Sequence, residues 1–500
     1  MPEPRMWQLT AGSAALGLAL AAVAVTAAGP WDTGQRTAER ARAAAPATGG
    51  AHHAPPPAPA APRRPAPAPS APGVLPALHA QAAAERPAGR PADLAATLVP
   101  LLADPGLGPL RTASVVDTAT GTQLYGEGAG TPMTPASTVK IATVAAALSA
   151  LGPDHRIPTT VTADGRTVTL TGGGDPTLDP ARLGRLAADT ARALKARGHT
   201  SVRLAYDTSL YEGPELHPIG PNENLAPVTA LMTSEGRLDK SNSGPAPRAA
   251  DPAGDTATAF AGLLTAAGVK ITGAPTKATD APARATDSPA RATDSPARAT
   301  DSPAKTPAAA PKPPAPLART HSAPLADLAE RTLTHSDNDL AEALARQTAL
   351  ARKQPASFEG AGKAVRDELA KLGLPLAGAR FADGSGLDRR DRVSAALLTT
   401  LLTRAADPAR PALRPVLTGL PVGGFTGTLA GRFDTAPATA GAGLVRAKTG
   451  TLTGVNTLAG TVVTADGRLL AFAFLAGRTL SPYEAQPALD RLSAALAGQG

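Results

Sequence analysis

Two stretches of low complexity decide how much of this chain can fold. From Gly29 to residue 94 the sequence is rich in Ala and Pro, as in Ala54–Ala71, and it reads as a disordered spacer. From 277 to 316 a seven-residue unit recurs: ATDAPAR at Ala278–Arg284, ATDSPAR from Ala285 and again from Ala292, and ATDSPAK from Ala299. Segments of this composition bury too little apolar surface to offset the entropy of ordering them, and Pro favours extended backbone. The period of seven is no coiled coil, because every unit holds a Pro and none supplies an apolar seam. The foldable chain is thus confined to 95–152, 153–276 and 317–500, and the second block reads as a flexible linker inside it.

The N-terminus sets the compartment. Arg5 precedes an apolar run from Ala11 to Ala28, with small residues near Val25, Ala27 and Ala28. That is the layout of an export signal, and residues 1–28 read as a signal peptide or a membrane anchor over 9–28. The protein is expected outside the cytoplasm, at the cell surface or wall. The net charge of +8 sits mainly in the low-complexity blocks: 1–94 carries eight Arg against five acids, and 277–319 carries seven Lys/Arg against four Asp. Only +2 is left for the remainder, and aromatic residues make up 3% of the chain, so a nucleic-acid partner is not expected. There is no Cys, which excludes disulfides, thiolate catalysis and Cys-based zinc sites. The eight His show no metal-ligand spacing, so no metal or cofactor is expected.

Patterning predicts strands at Ala113–Asp117 and Thr122–Gly126 around a turn, then a helix with Thr134 as N-cap and Pro135 at its first position, running to about Leu151. Strands follow over Ile157–Thr171. Helices are predicted at Asp179–Arg197, Asp255–Ala267, Leu325–Lys353, Phe358–Leu372 and Pro487–Ala497, and strands at Gly443–Leu452, Thr457–Thr464 and Leu469–Leu475. Asp466-Gly467 marks a hairpin between the last two.

Three short motifs fall on these elements in order: Ser137-Thr-Val-Lys140, Ser336-Asp337-Asn338 and Lys448-Thr449-Gly450. Each alone has an ordinary explanation, as a first helical turn, a helix cap and a strand end. Ser302-Pro-Ala-Lys305 in the repeat shows how cheaply the first pattern arises. Together they describe acyl transfer. Residues i and i+3 share a helix face, so the Lys140 amine can reach the Ser137 hydroxyl, which needs an adjacent base to become a nucleophile. Lysine becomes such a base when burial or a second cation lowers its pKa, and Lys448 is that cation. The helix N-terminus offers N–H groups to a developing oxyanion. The Asn338 amide can orient a peptide, the Ser336 hydroxyl can relay a proton, and Lys448 with Thr449 suits a carboxylate. Asp175 and Asp383 stand among Gly and Pro and read as turn formers.

With these motifs the chain resembles the class C low-molecular-mass penicillin-binding proteins, the D-alanyl-D-alanine carboxypeptidase/endopeptidase family. Gly172–Leu178 (GGGDPTL), Asp383–Leu387 (DGSGL), Leu420–Gly424 (LPVGG) and Gly427–Leu429 (GTL) look like that family's longer motifs. The resemblance implies an α+β fold of the penicilloyl-serine transferase (β-lactamase-like) type, an antiparallel five-stranded sheet with flanking helices. It implies a smaller domain inserted between the first two motifs, and 195 residues do separate Lys140 from Ser336. It assigns Ser137 as the acylated nucleophile, Lys140 as base, Ser336 and Asn338 to the cleft, and Lys448, Thr449, Gly450 and Thr451 to substrate binding, with the N–H groups of Ser137 and Thr451 as the oxyanion hole. The implied substrate is a peptidoglycan stem peptide ending in D-Ala-D-Ala, cleaved as a carboxypeptidase or endopeptidase, and β-lactams would acylate the same serine. The repeat block is a departure from the family pattern.

Two rivals remain. A class A β-lactamase shares the three motifs but uses a carboxylate in a Glu-x-x-x-Asn setting, and no Asn occurs between Asn338 and Lys448. A wall-associated scaffold with a decayed site would have little reason to keep all the polar side chains of the three motifs.

Overall fold

The computed structural model describes residues 91–278 and 316–499. The signal or anchor segment, the spacer up to residue 90 and the repeat from 279 to 315 lie outside the described residues. In chain order the main elements are α1 (Pro91–Leu102), β1 (Leu110–Asp117), β2 (Gln123–Glu127), α2 (Lys140–Leu151), β3 (Pro158–Asp164), β4 (Thr167–Thr171), α3 (Pro180–Ala196), β5 (Ser201–Asp207), α4 (Pro252–Ala266), β6 (Lys270–Ile271), β7 (Thr276–Lys277), β8 (Ala318–His321), α5 (Leu325–Thr334), α6 (Asn338–Ala351), α7 (Phe358–Lys371), α8 (Ala395–Ala406), β9 (Val445–Leu452), β10 (Val455–Val463), β11 (Leu469–Gly477) and α9 (Pro482–Ala497).

The first sheet runs β2-β1-β11-β10-β9, every neighbour antiparallel. Its central strand shows why it is covered on both sides. Alternate residues of a strand face opposite ways, and in β11 the two sets differ in size. Ala471, Ala473 and Leu475 join a core with Leu398, Leu401 and Leu402 of α8 and with α2, whereas Leu470, Phe472 and Phe474 join a second core with Leu98 of α1 and Leu492 and Leu496 of α9. The small side chains let helices lie close on one face, and the stacked Phe472 and Phe474 rings, 5.3 Å apart, fill the other. Ser114 of β1 meets the helical face through a buried hydroxyl–hydroxyl bond to Thr399 of α8, 2.9 Å. The predicted hairpin closes β10 to β11, with Gly467 at φ +81°.

The second sheet runs β6-β5-β4-β3-β8, with β7 also paired to β5. It is mixed: β3 pairs antiparallel with β4 and β8, and β5 pairs parallel with β4, β6 and β7. α3 and α4 cover it through Leu183, Leu186, Leu194, Phe260 and Leu264, a core separate from those of the first sheet. Asp179 caps α3 by accepting from the Arg182 N–H at 2.8 Å.

Several boundaries differ from the sequence reading, each for a local reason. β8 belongs to the second sheet, so the chain has not returned to the first sheet at 317. Four residues, Ala-Arg-Thr-His, carry too little pattern to announce a strand. The helix predicted over Leu325–Lys353 is two, because Ser336 takes φ +58° and Asp337 caps α6 by accepting from the Leu340 N–H at 3.0 Å. α9 starts five residues before Pro487, where Ser481 accepts from the Tyr483 N–H and Pro482 takes the first helical position. α1 begins at Pro91, inside the stretch read as spacer.

Gly460 of β10 shows how tightly the edge strand β9 is held. A Cβ there would lie 2.0 Å from the Arg446 carbonyl oxygen and 2.5 Å from the Ala447 Cα. We therefore expect Gly460→Ala to lower unfolding free energy by about 1–3 kcal/mol in urea titrations, as overpacking does; unchanged stability would show that the two strands separate freely.

Candidate active site

Ser137 and Lys140 are presented differently from the capped helix that the sequence suggested. Residues Ala136–Val139 form a 3-10 turn and α2 begins at Lys140 itself. No side chain caps the turn. The Thr134 hydroxyl instead donates to the Arg389 carbonyl at 3.4 Å and accepts from Arg392 at 2.9 Å. Ala136 is fully buried at φ +48°, a left-handed conformation that costs a non-glycine residue roughly 1–2 kcal/mol. Surrounding atoms hold it there. The Pro135 carbonyl accepts from Thr138 and Thr457, both at 2.7 Å. Gly386 (φ +83°) and Gly450 press on the turn so closely that a Cβ would lie 2.0 Å from the Ala136 oxygen and 2.6 Å from the Pro135 oxygen, respectively. The turn leaves Ser137 half-buried between buried neighbours.

The Lys140 side chain is fully buried. Its Nζ lies 3.1 Å from Ser137 Oγ, 2.7 Å from Asn338 Oδ1 and 2.5 Å from the Ser385 carbonyl oxygen. Burial pushes its pKa down to about 8, against the opposing pull of Asp383, Glu342, Asp337 and Asp391. Lys448 is equally buried and is pushed well below the usual lysine range by burial, then by the charge of Lys140. Its Nζ donates to the Thr449 carbonyl at 2.7 Å.

The three motifs thus converge. Ser137, Lys140 and Asn338 share hydrogen bonds, Gly450 lies against the Ser137 turn, and Lys448 lies within the electrostatic reach of Lys140. Asn338 is gripped from both ends, because its Nδ2 donates to the Asn224 carbonyl at 2.9 Å. Thr449 bonds Thr428 of the GTL segment at 2.9 Å, and Thr451 accepts from Gln486 at 3.4 Å. β9 forms the edge of its sheet; the Pro421–Gly423 segment bridges its outer side at Val445–Ala447, and no named strand pairs with that side. The Ser336 hydroxyl makes no hydrogen bond within the described residues, and its left-handed backbone sets it at the break between α5 and α6.

Beneath these residues lies a buried polar layer that the sequence reading passed over. Asp383 does form a turn, accepting from the Gly386 and Asp388 N–H groups at 2.6 and 2.7 Å. It also accepts from Ser385 Oγ at 3.1 Å and bonds His217 at 2.9 Å. Glu342 accepts from the Gly384 and Ser385 N–H groups, both at 3.0 Å, and pairs with Arg346. The available signal was the DGSG turn, whose short loop needs fixing; His217, alone in a Gly/Pro-rich segment, gave none. Two clusters, His217/Glu342/Asp383 and Glu235/Asp337/Asp339, bring ligand-type atoms together. Their oxygens already face guanidinium groups of Arg346, Arg237, Arg331 and Arg248 or the N–H groups just named, which suits internal ion pairing.

The chain matches the D-Ala-D-Ala carboxypeptidase 3 (S13) family over residues 94–274 and 303–496. It is 34% identical to the carboxypeptidase DacB of Mycolicibacterium smegmatis, covering 100% of this chain and 99% of that protein. It is 30% identical to a D-alanyl-D-alanine carboxypeptidase of an Actinomadura species, over 74% of this chain and 78% of the relative. The crystal structure of penicillin binding protein 4 from Haemophilus influenzae superposes with a TM-score of 0.61 at 22% identity, covering 81% of this chain and 97% of that one. The fold is therefore that of the penicilloyl-serine transferases. With its three motifs gathered about Lys140, the chain belongs to the D-Ala-D-Ala carboxypeptidase 3 (S13) family of class C penicillin-binding proteins and is a serine-type D-Ala-D-Ala carboxypeptidase.

Proposed function

We propose that the enzyme is exported and cleaves the terminal D-Ala-D-Ala bond of peptidoglycan stem peptides through an acyl-enzyme on Ser137. The observation that carries this reading is the bonding of the Lys140 amine. A neutral amine has two N–H donors and one lone pair. Asn338 Oδ1 and the Ser385 carbonyl can only accept, so they take the two donors. The lone pair is left for the third neighbour, the Ser137 hydroxyl, which makes Lys140 the base.

The rest follows from charge. Ser137 Oγ attacks the carbonyl as its proton passes to Lys140. The oxyanion forms beside the N–H of Ser137, early in a turn where N–H groups lack internal partners, and the N–H of Thr451 on the open edge of β9. The substrate carboxylate is received by Lys448 and Thr449, and its charge draws Lys448 back toward the ammonium form. A cation beside Lys140 then favours the neutral amine that the attack requires. Asn338 orients the peptide, and Ser336 relays a proton to the leaving amine. Gly450 gives β9 its close approach. β-Lactams enter the same cleft and acylate Ser137; the H. influenzae protein has been solved with a β-lactam bound.

Export rests on Arg5 and the apolar run that follows it. Among the described residues no helix is long and apolar enough to cross a membrane. We read residues 153–276, joined in the second sheet by β8, as an accessory domain.

Fluorescent penicillin should label the wild-type protein and fail to label Ser137→Ala, and only the wild type should release D-Ala from a pentapeptide ending in D-Ala-D-Ala. Labelling that survives the substitution would end the nucleophile assignment. The acylation rate should rise with pH and level off above about 8, because Lys140 acts only after losing its proton; a rate that falls across that range would remove Lys140 as the base.

A further inference from the structure

The Lys140 arrangement depends on one peptide carbonyl, that of Ser385, being fixed where it takes an amine proton. Ser385 lies in a short loop held from two sides: Glu342 takes its N–H, and the Asp383 carboxylate takes its hydroxyl and the N–H groups of Gly386 and Asp388. Asp383 is fully enclosed. Burial raises its pKa, yet the hydrogen bond from His217 and those from the loop outweigh burial and hold it well below the usual carboxylate range. A charged carboxylate with several short bonds is a rigid anchor, and among the described residues one of its bonds comes from far outside the loop.

That bond is made by His217, which lies between β5 and α4 in the chain of the second sheet. Its side chain is 2% exposed and that of Asp383 is 0% exposed. The bonding assigns the tautomer. The Ile219 N–H donates to Nδ1 at 3.2 Å, so Nδ1 holds the lone pair, and Nε2 carries the hydrogen given to Asp383 Oδ2 at 2.9 Å. The ring is wedged edge-on against Phe358 of α7, centroids 5.2 Å apart, which fixes its aim. Oδ2 of Asp383, the oxygen that His217 bonds, also accepts from Ser385 Oγ. A continuous path therefore runs from His217 through Asp383 and Ser385 to Lys140 Nζ.

We propose that His217 is a positioning residue for the carboxypeptidase reaction, fixing through Asp383 the Ser385 carbonyl that keeps the Lys140 lone pair on Ser137. This assignment presupposes Lys140 as base to Ser137. It makes catalysis depend on a residue supplied by the chain of the second sheet, which touches neither Ser137 nor Lys140. Loss of the Nε2–H leaves the Asp383 carboxylate short of a donor and loosens its hold on the Ser385 side of the loop, while Glu342 and Asp391 keep the rest in place; misplacing a reacting group by an ångström is enough to slow chemistry.

The test separates acylation rate from affinity in the full-length protein, using penicillin at varied concentration. His217→Leu removes the donor, and His217→Gln restores an N–H near the Nε2 position. We expect His217→Leu to lower the acylation rate constant about 10- to 100-fold with the dissociation constant of the initial complex within about twofold, and His217→Gln to recover to within about threefold of wild type. A wild-type rate in His217→Leu, equal slowing in both variants, or a loss confined to affinity would overturn the assignment. Should His217→Leu fail to fold, Ser385→Ala removes the next link alone and should likewise slow acylation at unchanged affinity; full rate there would overturn it too. Ser137→Ala run in parallel keeps the two readings distinct. Persistent labelling removes the nucleophile assignment, whereas lost labelling with fully active His217 variants removes only His217.

Discussion

A fully buried primary amine is the constraint around which this molecule is arranged. An unpaired ammonium in an apolar interior is costly enough that the group sheds its proton instead. Lys140 is enclosed because it opens α2, in which every residue from Lys140 to Leu148 is buried. A helix apolar on all sides must be surrounded, and α2 is packed among α5, α6, α7 and α8. Its many alanines let those helices approach closely, and the same packing shuts water out from Nζ. The depressed pKa thus arises from the core that makes α2 the central helix. Three oxygen neighbours, from Ser137, Asn338 and Ser385, then fix where the amine points.

Those oxygens come from separate parts of the chain, and the second-sheet region helps hold two of them. Asn224 fixes the Asn338 amide from behind. His217 fixes Asp383, and with it the Ser385 carbonyl. Further ties lie along α6: the Ala226 N–H donates to Asp339 at 3.0 Å, and Gln347 donates to the Gly173 carbonyl at 2.7 Å. Gly173 lies in the GGGDPTL segment, where a Cβ would come 1.7 Å from the Pro158 oxygen. That glycine permits two backbone segments to cross in contact, a packing reason for the motif. Asp175 in the same segment bonds the Thr177 N–H and pairs with Arg182, which is turn formation.

The parts of this arrangement legible in sequence are those with a local cause. The five-stranded sheet announces itself through alternating or continuous apolar strands and the Asp466-Gly467 turn. Ser137 and Lys140 are legible because a spacing of i to i+3 puts them on one helical face, and this spacing survives even though the turn is 3-10. What escaped reading depends on distant contacts. The left-handed Ala136 is imposed by Gly386, Gly450 and Thr457, none of them near it in sequence. β8 exists because β3 offers it an edge. His217 carries no periodic signal, and its partner lies 166 residues away. The split between α5 and α6 was readable in principle, since Ser336-Asp337-Asn338 has the composition of a helix cap; a long run of helix-compatible residues on both sides masked it.

The brevity of the three motifs has a physical basis in this division of labour. In each, a residue of the cluster around Lys140 stands beside one that anchors it. Thr138, between Ser137 and Lys140, spends its hydroxyl on the Pro135 carbonyl. Asp337 and Asp339 flank Asn338 and point the other way, the first capping α6 and pairing with Arg331, the second pairing with Arg248 at 3.0 Å. Gly450 has no side chain to offer, and its absence lets β9 lie against the Ser137 turn. Removing one partner of a buried ion pair strands the other at a cost of about 3–5 kcal/mol, so Asp337 and Asp339 are held by the same constraint as the chemistry they support. Each short motif therefore combines a residue of the cluster with the means of keeping it still, and the shortness of the pattern reflects how few positions lie near enough to do either.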